Sequence, residues 1–313
     1  MKNIIPGLQT NIDTKTLTTF GVGGEVSYYL KVVSSAELVA VMEGVKKFKI
    51  PYLIMAGGSN LVFPDKKLNK LLIHVSVSLK DKEAIKISGN QVICQAGVPL
   101  ANLVSITLKN SLAGLEELSG IPGTVGGAVV GNAGAYGQTI SDRLDSVDIF
   151  DGKKVRTLTK GDCKFNYRDS IFKHKDWVVL SAVFNLEPGD KKTLLAKSKS
   201  IIKTRNGKYP PGLKCPGSFF KNVLVKNVSK SSLKKIDQAK IIDGKIPAGY
   251  LLEMAGARGI RQGGLYIPDY HGNLLVNDGT ATYKDVITLA KKLKNKVQKR
   301  FGIELEEEVR YML

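Results

Sequence analysis

Glycines concentrate in three stretches of the first half of this chain: FGVGG at residues 20–24, AGGSN at 56–60 and GIPGTVGGAVVGNAGAYG at 120–137. Glycine reaches positive φ without steric cost and has no Cβ to hold a ligand away, so consecutive backbone N–H groups can turn inward and cradle an anion. A lone cluster of this kind is a tight turn between strands. Three of them, one directly after the short apolar run at 51–55, point to backbone that wraps a diphosphate. There is no GxxxxGK[ST], and no GxGxxG stands between a strand and a helix, so neither a P-loop nor a Rossmann turn explains them. A dinucleotide held by such loops in an α+β domain points to a flavin.

Around these loops the periodicity alternates between helix and strand. Ser34 followed by Glu37 is a capping signature, and Leu38, Val41, Met42 and Val45 recur at helical spacing. Strands are predicted over 51–55, 71–79, 91–98, 146–152 and 178–186, with helices over 100–108 and 191–205. The Pro/Gly-rich YPPGLKCPGS at 209–218 marks a domain junction. Beyond it lie a helix over 248–256 and a long amphipathic helix capped by Thr282 with Asp285 and stopped at Gly302. The tail IELEEEVRYML alternates: Ile303, Leu305, Val309, Tyr311 and Leu313 fall on one face, Glu304, Glu306, Glu308 and Arg310 on the other, which predicts a half-buried strand.

The 313 residues, 43% of them apolar, have room for two or three domains with real cores. No uninterrupted apolar stretch approaches a membrane span and residues 1–15 lack the core of a signal peptide, so the expectation is a cytoplasmic protein without membrane attachment. Cys94, Cys163 and Cys215 are far apart and His74, His174 and His271 form no HExxH, so reduced thiols and no metal are expected. The formal charge is +19, yet the basic run at 291–300 has no interleaved aromatics to stack on bases. It fits a solvated helix face, and the charge fits attraction of anionic small substrates rather than nucleic acid.

The ordered series TTFGVGG, MAGGSNLVF, GLEELSGIPGTVGGAVVGNAGAYG, FNYRDSIFK, GSFFKN and LEEEVR resembles the UDP-N-acetylenolpyruvoylglucosamine reductases, flavoenzymes of peptidoglycan precursor synthesis, across nearly the whole chain. The resemblance implies an α+β fold. Its FAD-binding region, of the vanillyl-alcohol oxidase and p-cresol methylhydroxylase type, would occupy two subdomains, 1–75 and 76–200. A C-terminal α+β substrate-binding domain would follow over 201–313, with a strand at 303–313 returning to the active site.

The implied reaction has two halves: NADPH reduces non-covalently bound FAD and leaves, and UDP-N-acetylglucosamine enolpyruvate is then reduced to UDP-N-acetylmuramate. Hydride addition to the vinyl carbon leaves an enolate-like species that needs charge stabilisation and a proton. By the resemblance, Ser218 is the proton donor, and Arg168 with Glu308 polarises the substrate carboxylate. Tyr167, Lys208 and Asn222 fall at substrate-binding positions. Gly57, Gly58, Ser59, Asn60, Gly123, Thr124, Gly126, Gly127, Ala133 and Gly134 fall at FAD-binding positions.

Residues Val223 and Tyr270 depart from the family pattern, where Pro and Lys are usual, and the short spacing between Arg168 and Ser218 resembles the subclass lacking an extra substrate-covering loop. A monomer is expected. Two other readings compete: a different FAD oxidoreductase of the same group, with a tethered flavin, and a non-catalytic nucleotide- or nucleic-acid-binding protein.

Overall fold

The structure is a computed structural model and describes residues 6–313; residues 1–5, where the expectation of no signal peptide and the 1–75 division begin, lie outside the described residues. The described chain forms two units. The first comprises residues 6–12, Val26–Gly57 and Asn69–Gly207, and the second Asp13–Glu25, Gly58–Leu68 and Lys208–Leu313.

The first unit is built on two sheets. Four strands lie in the order Gln9–Asp13, Glu25–Val32, Leu68–Val75, Tyr52–Met55, the last two parallel. Helix α1, Ser35–Lys47, links the second strand to the fourth, and the parallel neighbours Tyr52–Met55 and Leu68–Val75 are joined by residues 56–67. The Ser34 side chain accepts from the Glu37 N–H, and the Glu37 carboxylate accepts from the Val33 N–H at 2.8 Å. Leu38, Met42 and Val45 are buried with Leu30, Val32, Leu71 and Ile73, so the helical spacing read from the sequence is the buried stripe.

The second sheet is fully antiparallel, in the order Val155–Thr159, Leu144–Phe150, Val178–Asn185, Gln91–Gln95, Ile85–Ser88. Helices α2, Leu100–Lys109, and α3, Val125–Gly131, contribute to one apolar cluster with it. Helix α4, Lys191–Lys208, buries only Leu194 and Ile201.

The second unit has short paired strands and three helices: α5, Lys230–Leu233, α6, Ala248–Met254, and α7, Tyr283–Phe301. Helix α7 starts in a full capping box between Thr282 and Asp285, ends at Gly302 with φ +70°, and buries Val286, Leu289, Ala290, Leu293, Val297 and Phe301. Among the described residues no helix is long and apolar enough to cross a membrane.

The C-terminal tail is not the single strand that its alternation predicts. Its middle pairs antiparallel with residues 219–221, through Lys221 N–H to Glu306 O and Glu308 N–H to Phe219 O, both 2.8 Å. Arg310–Tyr311 then pairs in parallel with Leu61–Val62. The change of partner breaks the period of two: Met312 is buried and Leu313, expected inside, is 59% exposed. Glu308 is half-buried, whereas Glu304 and Glu306, which the alternation put on its face, are exposed.

Thr282→Ala should cost about 1 kcal/mol through loss of the cap of α7. The expected reading is a lower urea midpoint with an unchanged m-value.

Candidate functional site

In the second unit the segment carrying Ser218 is held by backbone on both sides. Gly217 takes φ +83°, and Ser218 and Phe220 form single bridges to Leu274 and Glu307 rather than opening a strand. The side rings of Phe219 and Phe220 are fully buried and meet edge to face at 5.0 Å. Asn273, 3% exposed, acts as a strand edge: its Oδ1 accepts from Phe220 N–H and its Nδ2 donates to Phe220 O, both at 2.9 Å, while its own carbonyl accepts from Phe219 N–H. The half-buried Ser218 hydroxyl therefore sits on a backbone with little freedom.

Glu308 is fixed from both ends of its peptide. Its N–H donates to Phe219 O at 2.8 Å, and its carbonyl accepts from Asn60 Nδ2 at 3.0 Å. Asn60 O accepts in turn from Arg310 N–H at 3.0 Å. The structure thus brings Ser218, Glu308 and Asn60 into one hydrogen-bonded framework, with Gly58 and Ser59 next to Asn60; Thr19 N–H donates to Gly58 O, and the Thr19 hydroxyl to Cys215 O. Asn222 Oδ1 accepts from Ala248 N–H at 3.1 Å, which caps α6 where Pro247 has no side chain to do so. Lys208 is exposed at the end of α4.

Two residues of this framework were not singled out in the sequence. The Tyr209 hydroxyl lies 2.9 Å from Ser218 Oγ, and its ring lies 5.8 Å from that of His271. Burial holds the His271 imidazole below its ordinary pKa, against the pull of Glu253, and Asn273 N–H donates to its Nδ1 at 3.1 Å, the pattern of a neutral ring. In the sequence Tyr209 belongs to a junction because Pro210 and Pro211 follow it, and Asn273 looks like an ordinary loop residue until its partner is known.

Arg168 lies in the first unit, at the third position of a turn closed by Asp169 N–H to Asn166 O at 3.1 Å. Its φ of +53° is the left-handed conformation that glycine or asparagine usually supplies there. A non-glycine residue so placed stores roughly 1–3 kcal/mol and persists only where its surroundings hold it. Here Nη2 donates to Gly134 O at 2.8 Å, Lys173 Nζ donates to Arg168 O at 2.5 Å, and the Tyr167 ring lies 5.6 Å from the guanidinium. The neighbouring Asp169 carboxylate meets His174 Nε2 at 3.0 Å.

The glycine stretches of the first unit fit an extended ligand. A Cβ on Gly57 would stand 2.8 Å from Gly123 Cα, so the second and third glycine clusters touch backbone to backbone. A Cβ on Gly127 would meet the Thr124 hydroxyl, which caps α3, at 3.5 Å, and Gly126 N–H bonds Ala96 O at 2.8 Å. Ala133 N–H bonds Ala128 O, and Ala133 O accepts from Ile140 N–H, both at 2.8 Å. In the same stretch Asn132 Oδ1 and Gln138 Oε1 are buried acceptors with no partner. Buried acceptors are normally satisfied, so two orphans beside Gly134 ask for donors from outside the chain, such as the imide N–H or ribityl hydroxyls of a flavin.

Residues 26–157 match the model of an FAD binding domain, and residues 210–312 match that of the UDP-N-acetylenolpyruvoylglucosamine reductase C-terminal domain. The UDP-N-acetylenolpyruvoylglucosamine reductase of Solibacter usitatus is 37% identical over 98% of both chains, and that of Carboxydothermus hydrogenoformans is 35% identical over 93% of this chain and 89% of its own. The crystal structure of the Thermus caldophilus enzyme of that name superposes with a TM-score of 0.76 at 28% identity, covering 98% of this chain and 99% of its own.

Asn273→Ala should strand the Phe220 N–H and C=O in a fully buried place and cost about 2–3 kcal/mol, measured by chemical denaturation. Asn273→Asp should recover little, because a carboxylate cannot donate to Phe220 O.

Proposed function

This chain belongs to the UDP-N-acetylenolpyruvoylglucosamine reductase family, and we propose on that premise that it reduces UDP-N-acetylglucosamine enolpyruvate to UDP-N-acetylmuramate in peptidoglycan precursor synthesis. It is an α+β protein whose FAD-binding region is of the vanillyl-alcohol oxidase and p-cresol methylhydroxylase type. The division into FAD-binding subdomains at 1–75 and 76–200 and a substrate-binding domain at 201–313 is part of the proposal. So are NADPH as the hydride source, a monomeric state and a cytoplasmic place of work.

FAD, when bound, supplies the hydride that the vinyl carbon of the substrate accepts. The residues proposed to hold it are Gly57, Gly58, Ser59, Asn60, Gly123, Thr124, Gly126, Gly127, Ala133 and Gly134. The two orphaned acceptors, Asn132 Oδ1 and Gln138 Oε1, favour a guest rich in N–H and O–H donors.

The observation that supports this chemistry is the bond from Glu308 N–H to Phe219 O, which puts residue 308 opposite the neighbour of Ser218 in one short antiparallel pairing. An enolate-like carbon is strongly basic, so a weak acid such as a serine hydroxyl serves if it is positioned, and position is what Asn273 and the tail supply. Arg168 is assigned to the substrate carboxylate: its guanidinium is planar and permanently charged, and it stabilises the charge that spreads there as the enolate develops. Glu308 is assigned to hold the enol form. Lys208 and Asn222 are assigned to the diphosphate and uridine, and Tyr167 to substrate binding.

The purified protein should be yellow, and acid precipitation should release all the colour into the supernatant. NADPH should bleach it and the enolpyruvyl substrate restore it; colour that stays in the pellet would support the tethered-flavin oxidoreductases instead.

In Ser218→Ala, bleaching by NADPH should stay near the parent rate while reoxidation by the substrate falls ~10²–10⁴-fold, the loss expected of a general acid. Stopped-flow absorbance separates the two, and a reoxidation rate equal to the parent's would remove Ser218 from the mechanism.

A further inference from the structure

The phenol oxygen of Tyr209 stands 2.9 Å from Ser218 Oγ, and we infer that Tyr209 is the positioning residue that returns a proton to Ser218, completing a relay of two hydroxyls from solvent to the substrate carbon. The inference rests on Ser218 being the proton donor. A serine hydroxyl has one hydrogen, and giving it to carbon leaves an alkoxide in a half-buried place. Either oxygen of the pair can donate to the other. While the Ser218 hydrogen is directed at the substrate, the donor between the two is Tyr209. A phenol ionises near about 10, well below an aliphatic alcohol, so transfer from Tyr209 to the serine oxygen runs downhill.

The protons balance without a further reactant. The new carbon–hydrogen bond forms as the Ser218 O–H bond breaks and its electron pair stays on Oγ. In the same event the Tyr209 O–H bond breaks and a new O–H forms on Ser218. The phenolate then takes a proton from water, which replaces the one delivered to the product.

The fold places the phenol without relying on the chemistry. Pro210 disfavours helical backbone at the residue before it, so α4 ends at Lys208 and Tyr209 leaves the helix. Its ring packs with Leu213 and Tyr266 against Cys215, Leu274 and Val276. Burial disfavours the protonated form of the His271 ring beside it, whose charge would favour Tyr209 as phenolate. A buried tyrosine hydroxyl needs a partner in any case, so packing alone is the alternative that the test must separate.

Tyr209→Phe keeps the ring and removes only the oxygen. Parent, Tyr209→Phe and Ser218→Ala holoenzymes are reduced anaerobically with dithionite and mixed with UDP-N-acetylglucosamine enolpyruvate in a stopped-flow instrument. Tyr209→Phe is expected to reoxidise about 10-fold more slowly or worse, short of the ~10²–10⁴-fold loss of the acid itself. Across mixtures of light and heavy water the parent rate should curve, as two protons in flight require, and the Tyr209→Phe rate should be linear. Separately from turnover, in oxidised holoenzyme carrying tyrosine labelled with carbon-13 at Cζ, the resonance missing from Tyr209→Phe should move in Ser218→Ala. A Tyr209→Phe rate equal to the parent's, a linear parent dependence or an unmoved resonance overturns the relay while Ser218→Ala remains slow. If Ser218→Ala itself reoxidises at the parent rate, the assignment of Ser218 falls, and the relay with it.

Discussion

The second unit depends on the way its C-terminal tail is divided between two partners. Backbone bonds from 306–308 run to 219–221, and those from 310–312 run to 60–62. Residue 308 lies between the two sets, with Asn60 Nδ2 closing the gap onto its carbonyl. A side chain that must act at a fixed point gains from such a place, because removing either set would free the peptide at one end only. The same division explains the short strands: neither partner offers more than a few residues of edge before the tail leaves it.

Helix α7 was legible because its start, stop and stripe each have a local cause, in Thr282, Asp285, Gly302 and the apolar spacing between them. Helix α1 was legible for the same reason. The tail was legible only in half. Alternation records which residues are inside, but it assumes a single neighbour along the strand, and no pattern in IELEEEVRYML announces that the neighbour changes after Glu308. Met312 and Leu313 exchange their expected places for that reason.

The candidate site is drawn mostly from resemblance. Ser218, Arg168 and Glu308 have no residue-level signal that sets them apart from a loop serine, a surface arginine and one glutamate among several. Tyr209 carries neither a residue pattern nor a family motif, since its meaning is a distance to a residue nine positions on, with a Pro-Pro-Gly turn between them. Arg168 is different in kind. Its positive φ appears only in three dimensions: a glycine there would relieve the backbone, and the chain instead keeps a guanidinium, held by Gly134 O and by Lys173 on its own carbonyl.

Charge and hydrogen bonding act at different ranges in this molecule. The +19 formal charge is spread over exposed lysines such as those of α4, where ion pairs are few and each is worth little in water. Its field draws a nucleotide diphosphate bearing a carboxylate toward the protein, and at physiological salt that pull fades beyond about 8 Å. Within the site the polar contacts are short and partly or fully dry: Asn273 on Phe220, Asn60 on Glu308, Tyr209 on Ser218. Salt should therefore weigh on how often substrate arrives and leave the proton step alone, because counterions screen the lysines and have no charge to screen in a pair of neutral hydroxyls.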